Sequence, residues 1–246
     1  MSEFHIAVAI GTFLLAGAVK GVIGMGLPTV SVGMLSLVML PVEAAALMIV
    51  PSFVTNLWQA VVGSGLLDVA RRLWTMMLGI CVGTWLGSGL LTGDSTLFTV
   101  SALGSALALY AIVGLTKVRF AVAPAWEPWL SPVAGVITGV VTGATGVFVI
   151  PSAPYIQALG MDKDRTVQAF GLSFTVSTVA LAVSLSLEGA YAVSVAGASV
   201  LALLPAAVGM AAGQWFRARV SAETFRLCFF VGTLLLGLHL AVQAWI

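Results

Sequence analysis

From residue 4 to residue 245 the chain is a succession of apolar runs separated by short connectors: 4–23, 28–40, 42–63, 73–92, 95–116, 132–144, 147–159, 166–187, 192–215 and 224–245. A bilayer core is roughly 30 Å thick, and an α-helix rising 1.5 Å per residue crosses it in about 20 residues. In hydrocarbon every backbone donor and acceptor must be satisfied within the protein, so runs of this length specify helices. Charged residues make up 8% of the chain and apolar residues 60%, against about 25% and 45–50% in soluble domains. The pattern therefore predicts an all-α polytopic integral membrane protein. Its 246 residues hold about eight to ten membrane segments and leave no length for a separate catalytic domain. A formal charge of +1 without a polybasic tract excludes the usual signature of a nucleic-acid partner. Cys81 and Cys228 fall inside apolar runs and read as small buried hydrophobes rather than a redox pair or metal site. The opening MSEFHIAVAIGTFLLAG lacks a basic region and a small-residue cleavage site, so it reads as a retained span.

Three runs, 28–40, 132–144 and 147–159, are only about a dozen residues long, near 18 Å as helix, and predict re-entrant or broken helices. Charge placement orders the rest, because cytoplasmic loops collect Lys and Arg. Nine of the ten basic residues form four clusters: Arg71 with Arg72, Lys117 with Arg119, Lys163 with Arg165, and Arg217 with Arg219 and Arg226. Glu3, Glu43, Asp94 and Glu188 occupy connectors without a basic residue. With the basic clusters inside and the acidic connectors outside, each full run from 42 to 116 and from 166 to 245 crosses once. The segments 4–40 and 132–159 then enter and return to the side they left. Both termini are expected outside.

Both returning segments carry a Gly-rich break, GVIGMGLP and GVVTGATG. Gly17, Gly21 and Gly24 parallel Gly135, Gly139 and Gly143, and Ser52–Phe53 parallels Ser173–Phe174. Two membrane repeats are expected, 1–119 and 120–246, each a Gly-rich broken or re-entrant helix pair followed by three transmembrane helices. The charge pattern gives them opposite orientations, the inverted arrangement of many secondary transporters.

An unwound segment at membrane depth persists only where protein buries it or water fills a cavity. Gly24, Gly26 and Pro28 suit a sharp turn and a new helix start, and Gly143 with Gly146 suit the same role in the second half. Helices restarting there would aim backbone N–H groups at an anion. The bland alternative, close helix packing, fits Gly17, Gly21, Gly135 and Gly139 better. Lys20 is the one basic residue inside a predicted span. A charge at the bilayer centre costs about 2.5–3.5 kcal/mol even on insertion scales, so a compensating anion is expected beside it; snorkelling or bonding to carbonyls is the alternative. Ser52, Thr55, Asn56 and Gln59 share a helix face at spacings of three or four. Gln168, Ser173, Thr175 and Ser177 occupy the equivalent region, and Thr138, Thr142 and Thr145 surround the second break. Interhelical bonding is the alternative for each.

No Asp or Glu lies well inside a run, which argues against a carboxylate proton relay or cation site. His239 in the last run belongs to the residue type most used for proton switches but reads more simply as a packing or interfacial residue. No phosphate-binding GxxxxGK[ST] motif, nucleophile–base set or metal-ligand spacing occurs, so neither enzymatic chemistry, a cofactor nor ATP drive is expected.

At GAVKGVIGMGLPTVSVGML, MIVPSFVTNLWQAV, GVITGVVTGATGVFVIPSAPYIQALG and VQAFGLSFTVST the chain resembles the TauE/SafE sulfite exporter family, also called the 4-toluene sulfonate uptake permeases, over nearly its whole length. The resemblance carries the Gly-rich segments with Pro28 and Pro151 as motif positions. It differs in having Gly143-Ala144-Thr145-Gly146 where the family often has adjacent glycines. It implies a transporter in a bacterial inner membrane, an exporter of small sulfur-containing anions such as sulfite or organosulfonates, with the bilayer and that anion as partners and a homodimer compatible with it. An anion channel or a non-transporting membrane partner subunit are the rival readings.

Overall fold

The computed structural model describes residues 3–63, 65–93, 95–116, 121–191, 193–217, 219 and 221–243, with backbone only at 193, 194 and 222. Ten α-helices follow one another among them: α1 Glu3–Ile23, α2 Leu27–Leu35, α3 Pro41–Val61, α4 Leu66–Gly87, α5 Thr96–Leu115, α6 Glu127–Thr145, α7 Ser152–Ala158, α8 Lys163–Leu187, α9 Val193–Arg217 and α10 Ala222–Gln243. Seven of these, α1, α3, α4, α5, α8, α9 and α10, are long and apolar enough to cross a bilayer. The helix order is the same on either side of the 116–121 connection: a long helix, a short one, then three long ones. The expected boundary at 119/120, and the charged residues Asp94, Lys117 and Arg119, lie outside the described residues.

Local chemistry explains the helix starts. Pro28, Pro41 and Pro128 stand in first turns, where a missing N–H costs nothing. Ser95 and Asp162 cap α5 and α8 by accepting from the N–H groups of Phe98 and Arg165, at 3.4 and 2.9 Å. Two boundaries differ from the expectation. α6 begins at Glu127 rather than 132, because Pro128 suits its first turn and Pro132 is tolerated inside it; with 19 residues it is no short fragment. α4 begins at Leu66 rather than 73 and carries Arg71 and Arg72 within its first two turns. The cysteines also correct the expectation: Cys81 and Cys228 are free thiols on outward, exposed faces of α4 and α10, where an apolar side chain meets lipid as readily as core.

Four close helix pairs hold the bundle: α1 with α9, α4 with α6, α5 with α10 and α3 with α8. The first two cross backbone to backbone. A Cβ added at Gly17 or Gly21 would lie 2.1 or 2.3 Å from the carbonyl oxygen of Ala206 or Met210, and Gly209 and Gly213 meet Leu14 and Ala18 in the same way. Across α4 and α6, Gly135 and Gly139 sit against the Met76 and Ile80 carbonyls at 2.2 and 2.3 Å, and Gly83 against Val136 at 2.2 Å. Without a hydrophobic drive between helices in lipid, close packing of small residues supplies the association.

The connections define two ends. At one end Arg72 of α4 pairs with Glu127 of α6 and donates to the Leu159 carbonyl after α7. There Arg165 of α8 reaches Asp68 at 3.6 Å. At the other end His5 of α1 meets the Val38 carbonyl at 3.2 Å, and Thr92 bonds Glu188. The basic pairs Arg71–Arg72 and Lys163–Arg165 thus share an end, and Glu43 and Glu188 lie at the opposite one, as the charge pattern predicts.

Candidate functional site

α1 stops at Ile23 because Gly24 and Gly26 take positive φ, +80° and +104°, a region that residues with a Cβ enter only at a cost. Gly26 then serves as the N-cap of α2, whose first turn is Leu27-Pro28-Thr29. The break places Lys20 in the last turn of α1, where the negative end of the helix dipole favours a cation. Its side chain is 4% exposed, and Nζ donates to Oδ1 of the fully buried Asn56 on α3. Among the described residues no carboxylate pairs with Lys20. Asn56 Nδ2 is buried and has no partner, so the amide holds the ammonium with one end and presents two unused N–H donors with the other. Thr29 and Ser31, on the first turns of α2, also carry buried hydroxyls without a partner. An added Cβ at Gly24 would meet nothing within 4 Å, so there is space beside the break.

The remaining candidates on α3 are committed elsewhere. Thr55 donates to the Pro51 carbonyl at 2.7 Å, and Ser52 to Met48 Sδ at 3.2 Å. Gln59 donates to the Val167 carbonyl at 3.0 Å. Gln168 is engaged at both ends of its amide: it donates to the Ala60 carbonyl at 3.1 Å and accepts from the Gly65 N–H at 3.1 Å. The two glutamines therefore tie the end of α3 to the start of α8.

The second break is built differently. Thr138, Thr142 and Thr145 each donate to the carbonyl four residues earlier, at 2.7, 2.7 and 2.6 Å, and Thr145 also accepts from the Val147 N–H at 3.2 Å. Gly143 is helical and continues the packing row, its would-be Cβ 2.5 Å from the Thr84 carbonyl. Gly146 alone has positive φ, +73°. No helix restarts there: α7 begins at Ser152, because Val147, Phe148, Val149 and Ile150, β-branched or aromatic throughout, favour extended backbone and Pro151 disfavours helix at Ile150. Gly146 packs on Ala45 and Val32, its would-be Cβ 3.0 and 3.5 Å from their side chains. Ala45 precedes Asn56 by 11 residues on α3, about 16 Å along the helix. The expected single cradle of two helix starts is therefore not formed, and the breaks stand at different depths. Thr175 and Ser177 donate within α8 to Gly171 and Ser173 at 2.7 and 3.0 Å, while the buried Ser173 hydroxyl has no partner.

One residue at this site escapes the sequence reading. Pro51 inside α3 leaves the Leu47 carbonyl without its helical donor, and Ser199 of α9 replaces it, donating to that carbonyl at 2.7 Å and accepting from the Val50 N–H at 3.0 Å. The signal was Pro51 itself, since a proline inside a membrane helix calls for a hydroxyl from a neighbour.

Seven apolar helices of spanning length define a helical, multi-pass integral membrane protein. The chain belongs to the Sulfite exporter TauE/SafE family, whose model matches residues 9–240. That places it in a family of membrane exporter-type transporters for sulfite and related sulfur anions. No curated protein and no solved structure matches the chain.

Proposed function

We propose that the protein is a secondary transporter, working as an exporter, of small sulfur-containing anions such as sulfite or an organosulfonate, and that Lys20 and Asn56 bind the anion. The observation that carries this reading is the buried Lys20 ammonium held by an amide and no carboxylate. A cation at that depth is a functional group by default, and its missing partner is an anion. Gly24, Gly26 and Pro28 shape the site, and the unpartnered hydroxyls of Thr29, Ser31 and Ser173 are further candidates for contact. Two repeats of opposite orientation support alternating access; the matched helix order and the entry of α1 and α6 from opposite ends favour that arrangement. The bacterial inner membrane and a homodimer remain part of this proposal.

Sulfite flux in proteoliposomes tests it. Saturable flux that is lost in Lys20→Ala, with the variant still monodisperse, is the expected result. Flux that rises linearly with concentration identifies a channel instead, and undiminished saturable flux in Lys20→Ala removes Lys20 from the site.

A further inference from the structure

We infer that the Lys20–Asn56 site selects its ligand by charge number and takes a singly charged anion, bisulfite or a monosulfonate, in preference to a dianion of the same shape. This rests on the reading of Lys20 and Asn56 as the anion site.

The argument is a count of charges and donors. Lys20 brings one positive charge, and among the described residues no Arg, Lys or carboxylate pairs with it. Asn56 is neutral. An anion of charge −1 leaves the site neutral, whereas a dianion leaves one negative charge uncompensated where water is excluded and charges interact most strongly. A neutral ligand leaves the ammonium as it stands. The donors agree with this: Lys20 has three N–H groups and spends one on Asn56 Oδ1, and Asn56 Nδ2 has two unused. These four unused N–H groups match in number and kind what the oxygens of an SO₃ headgroup accept. The unpartnered hydroxyls of Thr29, Ser31 and Ser173 can donate or accept and so do not bias the charge. For sulfite, which exchanges with bisulfite near neutral pH, the transported species is then the protonated one, and a proton travels with the sulfur without any carboxylate relay in the protein.

Three probes of nearly one shape separate charge from geometry: dimethyl sulfone (0), methanesulfonate (−1) and sulfate (−2). Binding of each to the purified full-length protein in detergent is measured by titration calorimetry at constant ionic strength, with thermal stabilisation as a second readout. Methanesulfonate is expected to bind at least tenfold more tightly than either other probe. Lys20→Gln is expected to abolish that preference, and Lys20→Arg to restore it. Asn56→Asp supplies the missing negative charge from within; it is expected to keep or raise the melting temperature while losing methanesulfonate binding, and it serves where Lys20→Gln fails to fold. Sulfate binding equal to or tighter than methanesulfonate overturns the charge selection and leaves the anion site standing. Binding of none of the three, or a methanesulfonate preference that survives in both Lys20→Gln and Asn56→Asp, overturns the site itself and the inference with it.

Discussion

The two broken helix pairs share a plan and differ in chemistry. In the first, the glycines lie just before the helix restart, a lysine sits in the last turn, and the neighbouring amide keeps an unused end. In the second, α6 runs on through three threonines that satisfy themselves on their own helix, and the segment after Gly146 is filled by Val147, Phe148 and Val149, all fully buried. Phe148 packs on Phe174, which in turn stacks on Phe170. One break keeps polar capacity in reserve and the other spends it on rigidity. The difference teaches that a similar order of helices need not mean a similar use of their polar groups.

The contrast breaks most directly at Lys20. Lys20→Ala is expected to weaken anion binding by about 2–5 kcal/mol, the cost of removing one partner of a buried charge pair, read by calorimetry as at least thirtyfold. A smaller loss would make the two breaks equivalent after all. The crossings are where the halves should behave alike. Gly21→Val and Gly139→Val each push a side chain into a backbone carbonyl 2.3 Å away, and each is expected to destabilise the detergent-solubilised protein by about 3 kcal/mol, the upper end for overpacking. Unequal melting temperatures would show that one crossing yields. The positive-φ glycines sharpen the comparison further. Ala at Gly24 or Gly146 incurs about 1–2 kcal/mol of backbone strain, but Gly146→Ala also meets Ala45 at 3.0 Å while Gly24→Ala meets nothing. Gly146→Ala is therefore expected to melt at the lower temperature. The smallest effect is expected at Thr142→Val, which removes a bond within one helix, about 0.6 kcal/mol, and leaves transport within twofold.

The apolar runs, the breaks and the two charge-marked ends were legible in the sequence because a bilayer punishes unsatisfied backbone and displaced charge so heavily. Lys20 was legible for the same reason, and its partner Asn56 because an amide is costly to bury. What the runs could not reveal was depth. Gly143 and Gly146 look alike in sequence, yet one packs and the other turns, and only the position of α4 decides between them. Gln59 is a candidate by its shared face with Asn56 and Gln168 by its equivalent place in the second half; the carbonyls that claim them belong to another helix and leave no periodic trace. Ser199 was missed because a single serine in an apolar run has no pattern, although Pro51 announced the need for it.

The glycine crossings bear on how the chain comes to be made. α1 finds its main seat on α9, and Gly17 meets the backbone of Ala206, almost two hundred residues later in the sequence. Lys20 can reach Asn56 on α3 early, but the grooved face of α1 must wait in the membrane without its main partner until the ribosome has nearly finished the chain. α4 and α6 have no such delay. A chain truncated before α9 would strand that face of the first helix beside lipid, so the last fifty residues are the ones that commit the rest.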